Sequence, residues 1–203
     1  MRLAIASLVC CLAAFPAAAA EPTKLKLEDF KFDLPDGSVK ELFGLNEADG
    51  KLFLYAPGAA VATFKVAEAG EYTFTVSASC DEGNGEKAKM RVQVGDKDAK
   101  AAKADDAKKT DGDKKPEGEK KPDADAKKPA KKFAHDKEVT LTDTAEKEYT
   151  VTVKLEKGEN KIVLTFTNDA YKENEYDRNL YVHGVKFEPA KKKAPAAGKE
   201  TGK

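Results

Sequence analysis

The sequence predicts an all-β chain, an antiparallel β-sandwich interrupted by a long disordered insertion. Three observations predict it. Short runs of alternating apolar and polar residues recur at close spacing, with Gly and Pro turn signals between them. No stretch of comparable length carries apolar residues at the 3.6-residue spacing of an amphipathic helix. Residues 97–132 contain no Leu, Ile, Val, Met or aromatic residue, so nothing there can bury enough apolar surface to offset the entropy of ordering it.

The first predicted strand is KLKLEDFKF (24–32), read as one alternating run. Pro35 and Asp36-Gly37 then mark a turn. LFLY (52–55), AVATFKV (60–66) and EYTFTVSAS (71–79) follow, separated by Pro57-Gly58 and Ala69-Gly70. Asp81 to Gly85 reads as a loop, because the glycines there lack the lysine-serine pair and following helix of a phosphate cradle. A strand over 88–94 leads into the insertion. Beyond it come strands at about 137–142, 148–155 and 160–167, the last two joined at Gly158, and then LYVHGVKF. Neither half offers a comfortable sandwich alone. The expectation is therefore one domain, 21–96 plus 133–189, with 97–132 as an internal loop. Long surface insertions add little closure entropy.

The ends read differently. Residues 1–20 pair one arginine with an apolar run and a small-residue Ala18-Ala19-Ala20 exit, the pattern of a secretory signal peptide cleaved near Ala20. The run is too short to span a bilayer, and no other apolar segment approaches spanning length. A secreted, periplasmic or cell-surface protein is expected. Two of the three cysteines fall in the signal, leaving Cys80 without a disulfide partner, read as a small residue near a strand end. Residues 190–203 read as a disordered basic tail.

Net charge is zero, with 36 basic and 36 acidic residues. That balance hides an asymmetry. Segment 97–132 carries 13 lysines against 9 acidic residues, and 191–203 carries 5 against 1, so the parts expected to fold are acidic. An acidic body argues against nucleic acid as a partner and is compatible with cation binding.

The acid is concentrated in one place. Between two predicted strands, TFTNDAYKENEYDRNLYVHGVKFE (165–188) holds Asp169, Glu173, Glu175 and Asp177, offset by Lys172 and Arg178. Carboxylates so close repel one another unless a cation sits among them, and hard oxygen ligands in a loop suit calcium. The spacing is not that of an EF-hand, which requires a glycine five residues after Asp169 and a closing glutamate in a twelve-residue loop. Nor does it suit a glycosidase, since an exposed cluster lacks the apolar setting that raises one carboxyl pKa. A non-catalytic protein is expected. Arg178 reads as an internal partner for a carboxylate.

Two stretches resemble the calcium-dependent, xylan-binding type of carbohydrate-binding module: ASCDEGNGEKAKMRVQVGDK (78–97) and FTNDAYKENEYDRNLYVHGVKFEP (166–189), whose NDxY followed by DRNLYV is the more specific signature. The resemblance implies a jelly-roll-like sandwich whose loops hold calcium, the metal in turn meeting vicinal hydroxyls of a xylan-like polysaccharide. Carried over by position, Asp169 and Asp177 are the first metal candidates, then Glu175 and Glu173, with Asp81 and Glu86 completing the site. Tyr171 and Tyr176, with Asn168 and Asn174 beside them, are the candidate sugar contacts. Two positions depart from the family pattern: Ala170 stands where a second aromatic is common, and His183 where an aspartate is. The alternative is an exported structural or interaction β-sandwich that keeps the fold, with or without calcium, and does not recognise sugar.

Overall fold

The computed structural model describes residues 21–96, 98 and 132–190. The expected signal segment, nearly all of the expected insertion and the tail beyond Ala190 lie outside the described residues.

Among the described residues, eleven of the thirteen strands form two antiparallel sheets. One has the order β3 (Phe43–Asn46), β4 (Lys51–Leu54), β13 (Leu180–Pro189), β6 (Gly70–Cys80) and β9 (Lys147–Leu155), with β1 (Thr23–Leu25) also paired to β13. The other has the order β2 (Lys31–Asp33), β5 (Gly58–Val66), β10 (Gly158–Phe166), β7 (Lys89–Asp96) and β8 (His135–Thr140). From β4 to β7 the chain passes from one sheet to the other at every connection, and does so again from β8 through β10 to β13. The all-β antiparallel sandwich of the sequence is what forms.

The inner faces are the alternate residues of each strand. Phe74, Val76, Ala78 and Cys80 from β6 and Leu180, Val182, Val185 and Phe187 from β13 meet Ile162, Leu164 and Phe166 from β10 and Met90, Val92 and Val94 from β7. Phe64, Phe74 and Phe187 form a ring cluster across the two layers, with centroids 5.0–5.3 Å apart. Burying such a ring contributes about 1.5–3 kcal/mol, so this cluster anchors one sheet to the other.

The strands on either side of the insertion are direct neighbours: β7 pairs with β8 from Lys89↔Thr140 to Val94↔His135. The same pattern of contacts joins β6 to β9 and β7 to β10. Both halves of the chain thus supply one buried cluster.

Three expectations need correction. KLKLEDFKF is not one strand: β1 joins the first sheet, a 3-10 turn covers Leu27–Asp29, and β2 joins the second. The reason is a change of parity, since Leu25 and Leu27 are odd-numbered and Phe30 and Phe32 even, so one continuous strand would turn one pair outward. The strands around Gly158 are not a hairpin but lie in opposite sheets, β9 beside β6 and β10 beside β5 and β7. LYVHGVKF carries a β-bulge at His183, where the inward parity shifts from Leu180 and Val182 to Val185 and Phe187. At the bulge the outer neighbour of β13 changes from β4 (Leu180–Val182) to β1 (Val185–Phe187).

Candidate metal and carbohydrate site

Two connecting segments leave the sandwich at the same end. Residues 81–88 link β6 to β7, and residues 167–179 link β10 to β13. Each is organised by its own turn. In the first, Gly83 and Glu86 exchange both backbone hydrogen bonds (3.0 and 3.1 Å), and Asn84 and Gly85 between them both have positive φ, 56° and 73°. That is the two-residue loop for which Asn-Gly is best suited. The second folds into a small hairpin, β11 (Tyr171–Lys172) against β12 (Tyr176–Asp177), closed by Glu175 N–H on Lys172 O at 3.0 Å. Asn174 takes φ 59° in this turn, a conformation asparagine tolerates.

The segments touch. A Cβ added to Gly83 would lie 2.8 Å from Arg178 Cβ and 3.2 Å from Ala170 O, so only glycine allows the first turn to lie against the second segment. Asn168 braces this junction, accepting Lys89 N–H at 2.5 Å and donating to Lys87 O at 3.0 Å. Its two polar ends thus serve the backbone leading into β7. Arg178, with its side chain 4% exposed, bonds the Glu86, Asn168 and Gly83 carbonyls. Glu86 sits over it, Oε2 to Nη2 at 3.6 Å.

Among the acidic candidates, the fold brings Asp169 and Asp177 into electrostatic contact. Burial, and after it the charge of Asp177, push the Asp169 carboxyl above its ordinary value, against the pull of the Ala170 N–H and of Arg178. Asp169 Oδ1 is buried without a hydrogen-bond partner. A buried acceptor left unpaired is destabilising by about 1–3 kcal/mol, and a second carboxylate nearby adds to it. A hard cation relieves both, and in this respect the residues present fit calcium. Among the described residues no three His, Cys, Asp or Glu side chains converge on one point. Calcium takes 6–8 oxygens, so two carboxylates leave most positions to backbone, water or a ligand.

Two of the other acidic candidates have partners of their own, and a third lies exposed. Glu175 pairs with Lys172 at 2.5 Å at the hairpin tip, and Glu173 lies exposed in the same turn. Asp81 Oδ2 accepts from Asn179 Nδ2 at 3.0 Å and from the Tyr181 hydroxyl at 2.7 Å. Burial first, then this bond to Asp81, push the Tyr181 phenol upward. Of the aromatic candidates, Tyr171 projects into solvent with 67% of its surface exposed, and Tyr176 is half-buried.

Asn179 and Tyr55 are the residues that sequence reasoning passed over. Asn179 is buried, and its Oδ1 has no partner. The signal was available, since Asp177, Asn179 and Tyr181 alternate, and period two places them on one side of an extended segment. Tyr55 is an exposed ring at this end, 4.7 Å from the Phe53 ring and 6.0 Å from that of Tyr181. It reads in sequence only as the end of a strand.

A serine–histidine–carboxylate order also occurs on the outer face of the first sheet. Ser79 Oγ lies 2.7 Å from His183 Nε2. Glu146 Oε2, however, lies 3.6 Å from His183 Nδ1, too far for the hydrogen bond that orients a catalytic histidine. Glu146 also bonds Ser77 through its other oxygen. The group fastens the His183 bulge to β6.

The profile of a family described as Ca-dependent carbohydrate-binding module, xylan-binding, matches residues 73–201. No curated protein matches this chain. Solved structures similar to it include the CBM36-1 domain of a multidomain xylanase from the hindgut metagenome of Trinervitermes trinervoides, at 14% identity and TM-score 0.47 over 84% of this chain and 99% of that one. A family 35 carbohydrate-binding module from Clostridium thermocellum is also 14% identical, with TM-score 0.46 over 84% of this chain and 100% of that one. TmCBM61, in complex with β-1,4-galactotriose, is 11% identical with TM-score 0.42 over 81% and 91%. The profile spans more than half of the 203 residues: this chain belongs to the family of calcium-dependent, xylan-binding carbohydrate-binding modules.

Proposed function

We propose that this chain is an exported, non-catalytic module that binds a xylan-type polysaccharide through calcium held by Asp169 and Asp177. The observation that carries the reading is the buried, partnerless Oδ1 of Asp169 beside a second carboxylate. Calcium bound there would supply open coordination positions to vicinal sugar hydroxyls. The chain's own residues do the rest. Asp169 and Asp177 offer carboxylate oxygens from two sides of one hairpin, since Asp169 precedes β11 and Asp177 ends β12. Tyr171 presents an exposed ring against which a pyranose can stack. Glu173 and Glu175, exposed at the tip, keep the approach negative and draw in cations. Among the described residues no helix is long and apolar enough to cross a membrane.

Calorimetry with xylan, in calcium and again in excess chelator, tests the proposal. Binding in calcium and none in chelator is expected, and no binding in either condition removes the sugar half. The double variant D169N/D177N is expected to lose all calcium-dependent rise in melting temperature. Without calcium it should be at least as stable as wild type, because the like-charge pair is gone. An undiminished calcium response in that variant would place the metal elsewhere. A calcium response without xylan binding would favour the alternative, a module that keeps fold and metal without sugar recognition.

A further inference from the structure

Arg178 stands out among the polar residues of the loop end because it is a buried charge whose donors go to main-chain carbonyls. Nε donates to Glu86 O at 3.0 Å, and the two terminal nitrogens donate to Asn168 O and Gly83 O. Its own backbone N–H donates to Ala170 O at 2.9 Å. A guanidinium out of water is tolerated only when its N–H groups are matched by acceptors. Here the acceptors come from three separate points on two segments that are 80 residues apart in sequence and more. A planar fork with donors pointing in several directions reaches all three; the compact ammonium of a lysine does not.

The places gripped are informative. Asn168, whose carbonyl one nitrogen holds, immediately precedes Asp169, and Ala170, held by the Arg178 N–H, immediately follows it. Asp177 is the residue directly before Arg178. The same guanidinium fixes Gly83 and Glu86, the two ends of the opposing turn. The backbone on both sides of Asp169 is therefore tied to one residue, by its guanidinium at Asn168 and by its main-chain N–H at Ala170, and Asp177 adjoins it in the chain.

We propose that Arg178 is the positioning residue of the calcium site: it builds the two segments before any metal arrives, so that calcium enters a formed pair of carboxylates rather than folding loops around itself. The inference rests on the calcium reading of Asp169 and Asp177, and its test separates the two. The measurement is amide hydrogen exchange in calcium-free protein, combined with calcium titration by calorimetry, on wild type, R178K and G83A. R178K keeps the charge and loses the fork. G83A keeps the arginine but presses a methyl group against its stem, 2.8 Å from Cβ.

In calcium-free wild type the amides of Gly83, Glu86 and Arg178 should be protected. In both variants they should exchange freely while strand amides such as those of Val76 and Leu164 stay protected. Calcium affinity should fall by about 10–100-fold, the usual effect of losing a group that orients metal ligands, and added calcium should restore the lost protection. Wild-type calcium affinity in R178K overturns the proposal. So do loop amides that are unprotected in wild type until calcium is added, an outcome that does not depend on either variant folding. If wild type binds no calcium at all, the metal reading falls, and the calcium-free exchange pattern still decides what Arg178 does.

Discussion

Between the sheets, Phe64, Phe74 and Phe187 pack ring on ring with no polar atom needed to hold them. At the loop end, Arg178, Asn168, Asn179 and Asp81 hold the chain by hydrogen bonds to carbonyls, N–H groups and one another. Apolar burial is non-directional and tolerant of small shifts, whereas a guanidinium over three carbonyls works at one geometry. The module separates the two tasks. Its body supplies stability from area, and its loop end uses directional bonds to fix the positions of its segments.

The comparison can be broken most severely in the body. Phe74→Ala removes a fully buried ring and should destabilise the chain by about 3–5 kcal/mol, read as a lowered urea midpoint, with the loop end lost together with the sheets. Asn168→Ala attacks the other chemistry. Losing the bonds to Lys89 N–H and Lys87 O should lower stability by about 1–2 kcal/mol. The Lys89 amide should exchange faster while the ring cluster keeps its protection.

Asp136 sharpens the picture from the outer face of the second sheet. Burial opposes its ionisation, but bonds from Arg91 (2.6 and 3.0 Å) and Gln93 (2.9 Å) prevail and hold its carboxyl below the ordinary 3.8. With the folded pKa below the unfolded one, the stability it contributes is full above about pH 4 and is lost as pH falls through the folded value. Asp136→Asn should therefore destabilise by roughly 1 kcal/mol at pH 7, less toward pH 2, read from thermal melts across that range. The smallest change in stability belongs to Tyr171→Ala, within about 0.5 kcal/mol because the ring is exposed. The same change should weaken xylan binding in calorimetry.

The two regions were unequally legible. β6, β9 and β10 announce themselves as alternating runs, because a half-buried strand must alternate, and their inward residues could be read directly. Which sheet a strand joins is not local information: β9 and β10 are joined at Gly158 yet lie in opposite sheets. Where parity changes, at Leu27 to Phe30 and at Val182 to Val185, the sequence does mark a break, and the structure places a sheet change and a bulge there. At the loop end, charge density and the DRNLYV stretch pointed to the segment. They did not reveal that Glu175 would pair with Lys172, that Asp81 would be held by Asn179 and Tyr181, or that Arg178 would serve carbonyls more than a carboxylate. The Glu175 pair is local, three residues from Lys172, but the Asp81 and Arg178 assignments depend on contacts across about 90–100 positions of sequence, which no periodicity encodes.

The direction of the strands has one more consequence. β7 starts at the loop end and finishes at Asp96, and β8 returns from His135 beside it. β13 likewise starts at the loop end and finishes at Pro189, with Thr23 opposite Phe187 two residues earlier. Every point where the chain leaves the described body therefore lies at the pole opposite Asp169 and Asp177. For an engineer this is a natural handle: a fluorescent domain spliced between Asp96 and His135, or an anchor fused after Pro189, would hold the module to a surface with its loops facing outward.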